Sequence, residues 1–399
     1  MSSAGFESHS TGSNFLQNHA SLFSKINFPF TLSLIGLIAF GLLVVYSASL
    51  TISDASLVKQ LLGLTIGIIL AIIIFNFDVN RLSSMTKMLL ILNVVLLLSP
   101  LIPGLGVNAK GINGWIEIPI IHQRFQPAEL AKIATILMMA GLVSQYNGKI
   151  EKLSDYLKLC GFLSVPFILI LLQPDLGTGL ILLVVGASII IMGGAQKKWV
   201  LTTIAVLVGL VALVLITDPI IDATLGDKHS LLKDYQMSRL LVFVDPSIDP
   251  SGDGYNLQQS KIAVGSGGIF GKGIGNASQA GGGFLPEAHT DFVFALLAEE
   301  FGFVGVLLLL VLYLVLLLST LYVALSAGSM FASLVCVGVA VMWGFQILQN
   351  IGMCVGIMPI TGIPLPFISY GPSSMLTQVF ASSFVASIYR YRAKVSKAS

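Results

Sequence analysis

The chain has 399 residues, 55% of them hydrophobic and only 10% charged, with a net charge of +2 and a mean hydropathy of +0.91. Soluble domains run at roughly 45–50% apolar and about 25% charged, so a water-soluble globular enzyme is excluded. A net charge of +2 says nothing by itself about nucleic acid, which is not expected as a partner; its placement along the chain says more.

Residues 1–29 are polar and serine-rich, with no basic stretch ahead of a short apolar core. They read as a disordered cytoplasmic tail rather than a cleaved signal. Apolar runs of about 20 residues, the length that crosses a bilayer, then recur near 30–50, 57–77, 84–103, 127–146, 158–173, 176–194, 199–217, 303–325, 329–356 and 372–389. The expected fold is an all-α polytopic membrane protein with about ten transmembrane helices over 30–389. A large extracytoplasmic loop, 218–290, parts spans seven and eight, and a basic cytoplasmic tail, 390–399, follows the last. Cytoplasmic loops collect Lys and Arg. With the N-terminus inside, the inner segments hold Lys25, Arg81, Lys87, Lys149, Lys152, Lys158, Lys197, Lys198, Arg390, Arg392, Lys394 and Lys397. The short outer loops hold only Lys59, Lys110 and Arg124. Twelve against three puts both termini in the cytoplasm.

Residues 104–126 are rich in Gly and Asn and read as an outer loop of turns, with Trp115 at the membrane–water interface. Gln126-Pro-Ala-Glu-Leu-Ala-Lys132 follows. Pro127 suits a first helical turn, and Glu129 and Lys132, three apart, share a helix face. Charges inside a span face the protein interior or a wet cavity. The pair is either a structural ion pair orienting two helices or a substrate-facing one. In Gln173-Pro-Asp-Leu-Gly-Thr-Gly179, Asp175 either caps the next helix or lines an outer cavity. Cys160, Cys336 and Cys354 lie in apolar runs as small hydrophobes, with no metal or disulfide spacing.

The 218–290 segment is too long for a bare connector. Its Leu231, Leu232, Leu240, Leu241, Phe243, Ile262 and Phe270 fit a folded cap with short amphipathic helices. The glycine-rich run 264–275 lacks the Walker ending; its glycines admit close backbone contact or a phosphate-bearing ligand. Next, Phe284–Gly302 gathers Glu287, His289, Asp291, Glu299 and Glu300. Asp291 either N-caps the helix that follows or, partly desolvated, is a base with a raised pKa. His289 holds a loop or meets an anionic ligand. Glu299 and Glu300 suit interhelical hydrogen bonds. The span entering at 303 either starts there or runs from Asp291 as one long helix. The 359–372 loop has four prolines, which forbid a regular helix. Such backbone is tolerated at that depth only when buried or lining a cavity. These polar features share the outer side, which points to one site at the membrane surface, suited to a lipid-anchored substrate.

F-Q-P-A-E-L-A-K, Q-P-D-L-G-T-G, D-P-S-G-D-G-Y-N-L-Q-Q-S-K-I-A-V-G-S-G-G-I-F-G-K-G, G-F-L-P-E-A-H-T-D-F-V-F-A-L-L-A-E-E-F-G-F, N-I-G-M and P-I-T-G-I-P-L-P-F-I-S-Y-G recur in this order. Over residues 30–392 the chain resembles the SEDS family (shape, elongation, division and sporulation), more on its RodA side than its FtsW side. The resemblance implies a peptidoglycan glycosyltransferase of the bacterial plasma membrane. It would polymerise lipid II on the outer face and pair with a class B penicillin-binding transpeptidase. It implies Asp291 as the essential aspartate and Glu129 and Lys132 as sensitive polar residues. Leaving-group charge would be met by a divalent cation (Mg2+ or Mn2+) or by Lys110, Arg124, Lys132, Arg239, Lys261 or Lys272. Ser369, Tyr370 and Ser373 belong to a loop where the family usually reads S-Y-G-G-S. Here it reads S-Y-G-P-S, and Pro372 removes a backbone donor. A lipid II flippase, a division-type (FtsW-like) polymerase and a non-catalytic scaffold are the rival readings.

Overall fold

The computed structural model describes residues 25–109, 112–118, 123–225 and 234–395. All ten apolar runs are helical. They form α1 (Phe28–Thr51), α2 (Leu57–Phe75), α3 (Thr86–Leu98), α4 (Pro127–Ser144), α5 (Leu153–Leu171), α6 (Leu176–Met192) and α7 (Lys197–Leu225). After two short helices, α8 (Asp234–Val244) and α9 (Asp253–Ser266), come α10 (Val293–Leu325), α11 (Met330–Val355) and α12 (Pro372–Val395). Seven of the ten are long and apolar enough to cross a membrane, and α3 and α6 are shorter apolar helices. The chain is a multi-pass helical membrane protein.

Burial sorts the helices. α4 and α11 are 83% and 72% buried over their apolar windows, against 22% and 28% for α2 and α5. The first two form the centre; the others turn Ile66, Ile69, Ile72, Ile73, Val165 and Ile168 outward. So broad an apolar exterior is stable only against lipid. α7 touches the bundle where Tyr156 of α5 meets Trp199 and Thr203, at 2.7 Å to the Thr203 hydroxyl.

Several boundaries differ from the sequence expectation. α1 begins at Phe28, its N-cap Asn27 accepting from Phe30 N, so the tail stops short of residue 29; residues 1–24 lie outside the described residues. α7 continues to Leu225, past the expected start of the loop at 218. The basic tail from 390 is largely helix: Arg390 donates to Phe75 O and Asn76 Oδ1 and stacks on the Phe75 ring, extending α12 to Val395. The turns expected over 104–126 hold a three-stranded antiparallel sheet, β1 (Gly106–Ala109), β2 (Ile112–Ile118) and β3 (Gln123–Phe125). Alternation in I-N-G-W-I-E-I supports strand pairing, and Glu117 faces Arg124 across it.

α10 is not one straight helix from Asp291. Gly302 has φ +64° and ψ −165°, and breaks it into two. The N–H groups freed at the break, on Phe303 and Val304, donate to Gly268 O and Ile269 O. The glycine-rich run is thus threaded against the break, backbone on backbone. It is held by Glu299, whose carboxylate accepts from Lys272 Nζ at 2.5 Å and from the N–H groups of Ser278, Gln279 and Ala280. Glu300 accepts from Ser47 of α1 and Gly275 N.

Candidate functional site

Asp291 lies on a tight turn ahead of α10. Glu287 has a left-handed φ of +56°, and its carbonyl accepts from the N–H groups of Thr290, Asp291 and Phe292. Thr290 Oγ1 donates to Glu287 Oε2 at 2.7 Å. Glu287 therefore builds the turn. The N-cap of α10 is Phe292, with no side-chain cap bond, so Asp291 does not cap the helix. Its partly exposed carboxylate makes no hydrogen bond or ion pair among the described residues. It faces Gly362, where a Cβ would stand 3.2 Å from Oδ2. Glycine at φ +68° leaves that space open.

The main chain here is held tightly. Three successive carbonyls are each bonded by the segment that joins or ends the next two spans. His289 O accepts from Tyr370 N at 2.9 Å, Thr290 O from Ser369 Oγ at 2.7 Å and Asp291 O from Asn350 Nδ2 at 2.7 Å. Asn350 also donates to Ile363 O at 2.8 Å. On the far side Gln60 of α2 grips the same loop, donating to Ser369 O and accepting from Gly371 N. The buried His289 ring packs on Tyr370, centroids 5.4 Å apart. That contact sets His289 against the 359–372 loop.

A second polar cluster adjoins the sheet. Lys132 Nζ donates to Glu129 Oε1 at 2.8 Å within α4, and both are almost fully buried. The pair is intrahelical; it does not tie one helix to another. Asp175 caps α6 by accepting from Thr178 N and Oγ1, and it also accepts from Gln126 Nε2. Burial raises its carboxyl pKa, opposed by the Thr178 bonds. Ser373 receives Gln126 N and donates to Arg124 O, joining β3 to the start of α12. Trp115, on β2, is half-buried in the sheet. Pro372 opens α12, where a missing N–H leaves no helical bond unmade.

The sequence had offered no choice among the cations. Lys132 is neutralised by Glu129, Lys272 by Glu299, and Arg239 lies 3.5 Å from Asp253. Arg124 is exposed on β3, and Lys261 of α9 is exposed where its side chain crosses Gly356 at the end of α11. Lys110 is outside the described residues. Among the described residues no three His, Cys, Asp or Glu side chains gather as a metal set.

Fold and site together define a class: a multi-pass helical membrane protein with a free carboxylate on a tightly held loop at one end of the bundle. The chain belongs to the FtsW/RodA/SpoVE family; the family model described as cell cycle protein matches residues 28–394. It is 34% identical over 387 residues to the peptidoglycan glycosyltransferase MrdB of Escherichia coli K12, covering 95% of this chain and 98% of that one. It is 35% identical over 364 residues to stage V sporulation protein E of Bacillus subtilis 168, covering 89% and 94%. Among solved structures it matches a chain of a peptidoglycan synthase complex with TM-score 0.72 and 30% identity, over 92% of this chain and 98% of that one. It matches the rod shape determining protein RodA of Thermus thermophilus with TM-score 0.64 and 28% identity, over 92% and 97%.

Proposed function

We propose that this chain is a peptidoglycan glycosyltransferase that polymerises lipid II at the outer face of the bacterial plasma membrane, for cell elongation. The observation that carries it is Asp291, whose carboxylate is free while its backbone is fixed. Two lipid-linked sugars lie side by side. Asp291 takes the proton of the acceptor 4-hydroxyl, and that oxygen attacks the anomeric carbon of the donor. The donor's bond to undecaprenyl diphosphate breaks with its electron pair, and a β-1,4 bond forms with inversion. A placed base contributes about 10²–10⁴-fold. Lys261 and Arg124, exposed and uncommitted to a carboxylate in the described ion pairs, meet the diphosphate charge. Both termini are cytoplasmic, as the Lys and Arg bias supports. A class B penicillin-binding transpeptidase is the partner, in line with the similarity to a synthase complex.

Asp291→Asn, purified and given lipid II, is expected to make no glycan chains; retained polymerisation overturns the assignment. Reconstitution in liposomes separates the flippase reading, which requires labelled lipid II to change leaflet without chains forming. That reading drew on Glu129 and Lys132, which here pair with each other within one helix.

A further inference from the structure

A base that keeps its carboxylate free for substrate cannot be oriented through that carboxylate. It is oriented through its main chain. Around Asp291 the only bond to its own carbonyl among the described hydrogen bonds comes from Asn350. That side chain is fully buried, on one of the two central helices, five residues before the end of α11. Its amide is a two-pronged donor: one N–H goes to Asp291 O at 2.7 Å and one to Ile363 O at 2.8 Å. Ile363 follows Gly362, the residue that faces Asp291 Oδ2. One rigid group therefore ties the Asp291 main chain to the Gly362–Ile363 segment that faces its carboxylate.

We propose that Asn350 is a positioning residue for the transfer reaction, setting the separation between Asp291 and the Gly362 wall, with Ser369 fixing the adjacent peptide. The inference rests on Asp291 being the base. A reacting group has to be held within about 0.5 Å of its productive position, and a misplacement of about 1 Å can cost 10²-fold in rate. Asn350 touches neither carboxylate nor substrate, so its loss acts on the chemical step and not on lipid II binding.

The test is steady-state polymerisation of lipid II by the purified full-length chain. Asn350→Leu keeps the volume and removes both donors, and Asp291→Asn is measured beside it. The expected result is a fall in kcat of about 10–100-fold with KM within about twofold, since orientation alone is lost. Ser369→Ala should lower kcat in the same way. The double variant should lose less than the product of the two, because both act on one stretch of backbone. Wild-type kcat in Asn350→Leu, or a raised KM at unchanged kcat, overturns the inference while an inactive Asp291→Asn leaves the base reading standing. An active Asp291→Asn removes the base reading itself. If Asn350→Leu does not purify as a folded, monodisperse protein, Ser369→Ala decides alone: unchanged kcat there overturns the inference.

Discussion

At Asp291, Glu129 and Lys132, residue type and position were legible in the chain because charge is rare in it. A carboxylate at the mouth of an apolar span stands out against 10% charged composition. Its partners did not stand out. Asn350 and Gln60 are neutral side chains inside apolar runs, and what distinguishes them is which carbonyl they reach, some 59 and 309 residues away. The Glu129–Lys132 pair shows the energetic side of the same scale. Removing one member of a buried pair leaves a bare charge, at about 3–5 kcal/mol, whereas replacing both by apolar groups of similar volume is often neutral. Glu129→Ala should therefore melt well below the wild type in detergent, and Glu129→Leu with Lys132→Met should recover most of the loss. A double variant as unstable as the single one would show that the charges themselves are required.

The helices were readable as elements, since an apolar run of span length has few alternatives in lipid. Their ends and breaks were less so. Gly302 sits in an apolar stretch that reads as continuous helix, yet the glycine-rich run approaches it so closely that a Cβ would fall 2.2 Å from Gly271 N. The φ of +64° is itself worth about 1–3 kcal/mol of strain for any other residue. Gly302→Ala should lose more than that in thermal melts and release the loop that Glu299 gathers. Proteolysis of the 266–280 segment in the intact membrane protein reports the release; an unchanged digestion pattern would contradict it. The sheet over 106–125 was missed for a related reason. Its strands are three to seven residues long, and their alternation is masked by turn-forming Gly and Asn.

For the molecule as a whole, the Lys and Arg bias predicts an orientation that a helix bundle alone does not. Ser251 is exposed in the long polar segment, which has no native cysteine. Ser251→Cys in cells should react with a membrane-impermeant maleimide, while Lys149→Cys, at the opposite end, should react only after permeabilisation. The reverse pattern would invert the topology and put the site on the wrong face. Composition and run length by themselves determined that this is a many-span helical membrane protein, because hydropathy is a sum over local residues. Motif order pointed to the family for the same reason. What Asp291 is free to do was decided only by tertiary structure. Whether its carboxylate caps a helix or faces Gly362 depends on Glu287 folding the turn, Phe292 taking the cap, and Ser369, Tyr370 and Asn350 holding three neighbouring carbonyls. Those contacts join residues far apart in the chain, and no local pattern encodes them.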